Sequence, residues 1–524
     1  MGKNKLALPV RPALFAALAA DSLAQAFKKK GDWPGKSDNM QHQSEKSARS
    51  PVELLEARVL CSTYWVTNTN DSGSGSLRQA IIQADSARGN PAIDFAIGSG
   101  LKTIKPLSAL PVIKTPMTID ATTQGGYAGK PLIQLNGSSA GNANGLQISS
   151  GGATIKGLII DNFKGDGILA TVYGNNTILG NYIGTDATGS TKQANTGNGI
   201  LLGGGGNVVG GTTAAQRNVI SGNGINGLEF AGPAAGKNLI EGNYIGVNAA
   251  GTAALGNTAN GLDIKNEPSN TIGGTAAGAG NVISGNGQDG IILYGNGGYN
   301  TVQGNLIGLD ATGRHGIGNA QNGIENQTSY NLIGGTTPSA RNIVSGNAGS
   351  GLILWGYISK CTNNLIEGNY FGTDITGTIG IGNWGGITFS NSANNNTVGG
   401  TSAADRNLIS GNTHIGVGFY EASDYNLIEG NYIGTDVTGH KSVSNRTGVG
   451  VYNNSTNNTI GGRAAGAGNT VSGNAIDGID LFSNNTIVED NILGLTGSSS
   501  ITPKNGGTDL FLHGSSGDTI LGNL

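Results

Sequence analysis

The stretch Asn238-Leu239-Ile240-Glu241-Gly242-Asn243-Tyr244-Ile245-Gly246 reads as two short strands joined by a bend. Strand alternation points Ile240 to one face and Leu239 and Glu241 to the other. Asparagine tolerates left-handed backbone and bonds the neighbouring main chain, and glycine supplies the tight bend. Recurrence turns this local reading into a fold. The Gly-Asn-Tyr-Ile-Gly pattern stands at 180–184, 242–246, 304–308, 368–372 and 430–434, and more loosely at 490–494, in steps of 62, 62, 64, 62 and 60. An Asn-x-Ile/Val-Gly-Gly motif starts at Asn207, Asn270, Asn331, Asn396 and Asn458, and an Asn-x-x-Ser-Gly-Asn motif at Asn218, Asn281, Asn342, Asn407 and Asn469. Three series sharing one period mark a solenoid.

A fourth signal appears twice per period: Gly, an aliphatic residue, any residue, then an apolar one. Its first apolar positions from Ile200 onward (Ile200, Leu228, Leu262, Ile291 and so on) alternate short and long steps, for example 28 then 34. One coil is therefore about 31 residues and the long period is a pair of coils, with insertions at alternating corners. The expected fold is all-β: a right-handed parallel β-helix of three-strand coils, right-handed crossovers being the rule. About 13 regular coils at ~4.8 Å give a rod of roughly 60 Å. Stacked Ile and Val should fill it, and equivalent Asn residues should form hydrogen-bonded ladders.

Composition agrees. Glycine supplies 93 of 524 residues, more than twice the ~7% average. With 13 prolines and no Gly triplet, collagen is excluded. Low net charge (−3) and recurrent Ile and Val exclude general disorder. Nothing beyond residue 20 approaches a membrane span, and the mildly acidic balance argues against a nucleic-acid groove. Cys61 and Cys361 lie 300 positions apart, so neither a disulfide framework nor a cysteine zinc site is expected.

Residues 1–50 carry a net charge of +5 against −8 for the remainder. Lys3 and Lys5, a broken apolar stretch and Ala24-Gln25-Ala26 read as a disordered or targeting segment, with Met40 an alternative start. The run Val52-Glu53-Leu54-Leu55-Glu56-Ala57-Arg58-Val59-Leu60-Cys61-Ser62 resembles the E-x-L-E-x-R-x-L-L-S element of exported planctomycete proteins. Gly75-Ser76-Leu77-Arg78-Gln79-Ala80-Ile81 resembles the CSLREAI element that precedes β-helical repeats in secreted bacterial proteins, with Gly75 in place of Cys. That resemblance implies a helix capping the open end of the solenoid. Ser76 is the expected N-cap, and Leu77, Ala80, Ile81 and Ala84 share one face. Residues 51–135 are thus read as sorting element, capping helix and first irregular coils, and 136–524 as regular repeats. The chain stops within a strand motif, so that edge is expected to pair, to be covered, or to continue.

The whole is similar to the pectin-lyase-like β-helices, which include lyases, polygalacturonases and uronan epimerases. The sequence lacks their Asn-Thr-Asp, Gly-His-Gly and Asp-Pro-His elements and the calcium-binding Gly-Gly-x-Gly-x-Asp repeat. Asp186, Asp310, Asp374 and Asp436 recur one coil pair apart, too far to share an ion, and read as loop caps. The five histidines read as solvated linker or loop residues, and Arg217, Arg341 and Arg406 as loop-fixing. One outward row invites a glycan-facing stripe: Tyr182, Tyr244, Tyr370 and Tyr432, accompanied by Glu241, Glu367 and Glu429. The competing reading folds each Gly-Thr-Asp insertion back over its Tyr. The favoured function is an exported β-helical surface or matrix protein, structural or adhesive, with a polysaccharide or cell-envelope component as partner and no cofactor, metal or catalytic residue assigned. The alternative is a polysaccharide lyase or uronan epimerase of the same fold. A cleft lined by three or more convergent ionisable groups goes with the enzyme; shallow Asn/Gly-lined faces go with the scaffold.

Overall fold

The computed structural model describes residues 62–524 except 171, 233–235, 358–359 and 495–502. The expected targeting segment, the sorting element up to Cys61 and the alternative start at Met40 lie outside the described residues. The chain winds through three parallel sheets of 16, 14 and 13 strands, the right-handed parallel β-helix read from the repeats. Each regular coil contributes one strand to each sheet. In one coil these are Leu228–Ala231 (third sheet), Leu239–Glu241 (first) and Tyr244–Ile245 (second). Register is exact from coil to coil: Ile240 pairs with Ile272 and Val209, and Ile245 with Ile220 and Ile283. These inward residues form one continuous core with Leu228, Phe230, Leu262 and Ile264.

The Asn series becomes three ladders, one per corner. Between first and second sheets, Asn243 Nδ2 donates to Asn281 Oδ1 (3.0 Å) and Asn281 Nδ2 to Asn305 Oδ1 (2.9 Å). Between third and first, Asn238 donates to Asn270 (2.9 Å) and Asn270 to Asn300 (3.0 Å). Between second and third, Asn223 donates to Asn257 and Asn257 to Asn286 (both 3.0 Å). In each ladder the same Oδ1 also accepts a main-chain N–H of the preceding coil, as from Asn243 and Asn238. Corner backbone that would otherwise be buried without partners is thereby satisfied.

At the N-terminal end, the helix Leu77–Asp85 buries Leu77, Ala80, Ile81 and Ala84, and the Ser76 side chain accepts from the N–H of Gln79. Its apolar face joins Val66, Ile93 and Phe95 in the core, covering the first winding as a capping helix should. Cys361 is a buried free thiol, its pKa pushed up to about 12 by burial.

Among the described residues, five insertions after the second sheet form hairpins, closed by antiparallel bridges such as Thr185 with Lys192 and Val247 with Ala254. Their aspartates are loop caps. Asp374 Oδ1 accepts the N–H groups of Thr378 and Ile379 and the Thr376 hydroxyl, and Asp436 does the same for His440, Lys441 and Thr438. The hairpins also bond one another two coils apart: Ala249 N–H donates to Gly189 O, and Ile375 N–H to Gly313 O. The insertions thus line up along the rod as an outer ridge.

Candidate functional site

The ridge decides the fate of the predicted tyrosine row. Tyr182 and Tyr370 are buried, and Tyr244 and Tyr432 half-buried. A Cβ added at Gly439 would stand 3.1 Å from the Tyr432 ring, so the hairpin lies against it. On the other side the guanidinium carbons of Arg217, Arg341 and Arg406 sit 4.1, 4.2 and 3.9 Å from the ring centroids of Tyr244, Tyr370 and Tyr432. Each arginine is fixed by Nε donating to the carbonyl of Gly242, Gly368 or Gly430. The rings lie between arginine and hairpin. Glu241, Glu367 and Glu429 are half-buried on the neighbouring first sheet, and burial raises the pKa of Glu241 and Glu367. Where Gly280 and Leu306 replace Arg and Tyr, the stacked unit is missing and a cleft of about 390 Å³ opens between Arg217 and Arg341.

A different constellation forms on the outer face of the third sheet, in the strands Ile415–Phe419, Thr447–Val451 and Ile479–Leu481. Phe419, Val451 and Leu481 are in register, which places the next residues, Tyr420, Tyr452 and Phe482, in one row along the rod. Their rings stack in sequence at 5.3 and 5.2 Å, and His513 continues the row 3.8 Å from Phe482. Glycine makes this geometry possible. A Cβ at Gly418 would stand 2.7 Å from Tyr420 Cε2, and one at Gly450 would collide with the Tyr452 ring. Both tyrosines therefore lie down across the strand face.

Opposite this row, Trp384, His414 and Arg446 stand at the starts of adjacent strands. Trp384 and His414 pack at 4.6 Å between centroids, and Arg446 Nη1 donates to His414 Nδ1 at 3.4 Å. Between the rows runs an open groove of about 460 Å³, lined also by Thr447, Ile476, Asp477 and Asp480. Tyr452 Oη donates to Asp480 Oδ2 at 3.4 Å, and His513 Nε2 lies 3.1 Å from Asp480 Oδ1.

The electrostatics follow from burial. Desolvation raises the pKa of Asp480, with nearby His513 opposing, and raises those of Tyr420 and Tyr452. Desolvation and then the Arg446 charge lower that of His414. His414 is thus held neutral, and because a guanidinium only donates, its Nδ1 accepts and its proton sits on Nε2. The groove presents phenol hydroxyls, a guanidinium, an imidazole N–H and carboxylate oxygens beside apolar ring faces. Among the described residues, no group of three or more His, Cys, Asp or Glu could hold a metal ion.

None of the groove residues was singled out from sequence. His414 and His513, read as solvated loop residues, instead pack on Trp384 and Phe482. The available signal was positional: in the third-sheet motif the residue after the first apolar position turns to Gly at Gly418 and Gly450, while the residue three beyond it turns aromatic.

No family model matches the chain, and no curated protein sequence matches it. Among solved structures it is similar to the A-module of the mannuronan C-5 epimerase AlgE6 of Azotobacter vinelandii, at 16% identity over 87% of this chain and 99% of that one, TM-score 0.40. It is also similar to the periplasmic alginate epimerase AlgG, at 12% identity over 83% and 77%, TM-score 0.32. A third likeness is to the Dettilon tailspike protein, at 14% identity over 80% and 68%, TM-score 0.36. These likenesses are of winding.

Proposed function

We propose that this protein is a polysaccharide-binding β-helix that acts at the cell surface or outside the cell, and that the third-sheet groove is its binding site. The observation that carries the reading is the stacked row Tyr420, Tyr452 and Phe482, leaning over Gly418 and Gly450 and faced by Arg446 and His414 across an open groove. A row of aromatic edges and end faces suits the C–H groups of sugar rings, and a mixed set of donors and acceptors suits hydroxyl groups. The N-terminal resemblance to exported elements supports the location. No helix among the described residues is long and apolar enough to cross a membrane.

Binding rather than turnover fits the protonation states. The tyrosine phenols are held protonated, Asp480 is engaged by Tyr452 and His513, and the His414 Nδ1 lone pair faces Arg446. A second reading, a lyase or epimerase acting on uronates, is favoured by one observation: Arg446, His414, Tyr452 and Asp480 line one cleft, the convergence that separates an enzyme from a scaffold. Affinity electrophoresis through alginate, polygalacturonate, laminarin and xylan, with absorbance of unsaturated uronate followed in parallel, tests both. Retention of the protein, its loss in Tyr420→Ala/Tyr452→Ala and a flat absorbance are expected. Retention by none of the four refutes the binding site, and turnover of any replaces it with the enzyme.

A further inference from the structure

The corner leading from the third sheet into the first carries one residue of left-handed backbone in every regular coil. Several coils place there the residues that tolerate it, such as Asn175 (φ 59°), Gly206 (72°), Asn363 (57°), Asn395 (57°) and Asn457 (56°), and others carry Lys237 (66°), Ser269 (61°) and Tyr425 (59°). Tyr299 (φ 58°) and Tyr330 (φ 62°) occupy it in two consecutive coils. A bulky residue in this region costs about 1–2 kcal/mol, and burial does not return it, because the side chains are exposed, at 63% and 51%. Their rings are nearly parallel, 5.0 Å between centroids and 6° between planes. They border a cleft of about 460 Å³ whose other walls are Pro268, the run 295–298 (Gly-Asn-Gly-Gly), Ser329 and Lys360. The outer face and edges of this stacked pair, exposed beside a cleft, are aromatic surface on which a sugar ring can pack.

This platform and the groove lie along the same edge of the rod. Trp355 pairs in register with Ser390, and Phe389 with Phe419, so Trp355, Ser390, Tyr420, Tyr452 and Phe482 follow one line. Three coil spacings separate the Tyr330 corner from that of Tyr420, about 14 Å at ~4.8 Å each.

We propose that Tyr299 and Tyr330 form a second sugar-stacking platform, so that one linear polysaccharide chain lies parallel to the rod axis and contacts platform and groove together. The proposal rests on the binding role of the groove. Two weak contacts joined through one chain act as a bivalent pair, so affinity should rise steeply once a chain spans both and stay low for oligomers that reach only one.

The test is Tyr299→Asn/Tyr330→Asn, which installs the residue other coils carry at this corner and relieves the strain. Thermal stability should be unchanged or raised, which keeps a folding failure from imitating a binding loss. With alginate, polygalacturonate, laminarin and xylan as probes, each as long chains and as oligomers too short to span about 14 Å, the variant should bind the retained long chain at least about tenfold more weakly. Its binding of the corresponding short oligomers should equal that of the unaltered protein. Long-chain binding unchanged in the variant, while Tyr420→Ala/Tyr452→Ala abolishes it, overturns the platform and leaves the groove. Retention of the unaltered protein by none of the four overturns both.

Discussion

Replacing Asn281 by Ala should open the rod locally at one corner. Asn281 is 1% exposed. Its Oδ1 accepts the N–H of Asn243 (3.0 Å) and Asn243 Nδ2 (3.0 Å), and its Nδ2 donates to Ile240 O (2.8 Å) and Asn305 Oδ1 (2.9 Å). Some partners are covered after truncation: Asn243 Nδ2 keeps the Val209 carbonyl, and Asn305 Oδ1 keeps the Asn281 N–H. The Asn243 N–H is left without its acceptor, at a cost of about 1–3 kcal/mol for a buried unsatisfied group. The other three bonds add roughly 0.5–1 kcal/mol each, so the loss should be ~3–5 kcal/mol. Ile283→Val, a one-methyl truncation in the same coil, supplies the yardstick at about 1 kcal/mol. In a solenoid, whose coils interact chiefly with their neighbours, the damage should be local. The assay is guanidinium denaturation followed by far-UV circular dichroism, with amide exchange at Asn243 read alongside. A loss below about 1 kcal/mol with Asn243 protection unchanged would refute the argument that the ladder holds the corner by satisfying buried main chain.

Two further perturbations separate the groove from the rod. Gly450→Ala puts a methyl where the Tyr452 ring lies, so it should swing the ring off the strand face and weaken polysaccharide retention by about tenfold or more, the loss of roughly one stacking contact; unaltered retention would show that the ring does not contribute. Acidification should stabilise the protein, because Asp263 and Glu325 have pKa values raised to about 6 and about 7, chiefly by burial and then by the charges of Glu229 and Asp289 respectively. Folded pKa values above the unfolded ones mean that the native state binds more protons between about pH 4 and 7, so stability falls as pH rises through that window, by up to ~3 kcal/mol per group. Glu325→Gln should flatten the slope measured by denaturation across the window, and a slope of the opposite sign would refute it.

What the sequence showed and hid divides along a physical line. Properties repeated in every coil were legible: Ile240 inward, Glu241 outward, the Asn series as ladders, Ser76 as N-cap, and the hairpin aspartates as caps. Each is set by period-2 alternation or by a turn within a few residues. The tyrosine row left two readings open because it depends on contact between insertions. Nothing near Tyr244 announces that Ala249 will bond Gly189, a residue of the previous hairpin. The groove was missed for the converse reason. It arises from departures at two positions of the third-sheet motif, Gly418 with Tyr420 and Gly450 with Tyr452, and averaging over repeats discards such departures as variation. Trp384 and Arg446 join only through His414 in the coil between them, each step bringing strand starts within 5 Å or so.

The same ladders that build the rod also account for how its edge can carry strain. Tyr299 and Tyr330 each immediately precede a ladder asparagine. Asn300 accepts from the Asn270 N–H (2.9 Å) and Nδ2 (3.0 Å), and Asn331 stands in the same relation to Asn300 (2.9 and 3.1 Å). The left-handed turn is therefore fixed by bonds to the residue after it, whatever side chain the turn carries. One such set of buried bonds, at about 1 kcal/mol each, exceeds the cost of a single tyrosine in that conformation. A corner specified by its asparagine leaves the preceding residue free to serve an exposed function. The second sheet offers no such freedom, since its outward rings are enclosed by arginines and stacked hairpins. The third sheet, with its longest strands at Ser350–Trp355 and Gly385–Ser390, thus presents a flat face and a tolerant corner along one edge, the geometry an extended polymer requires.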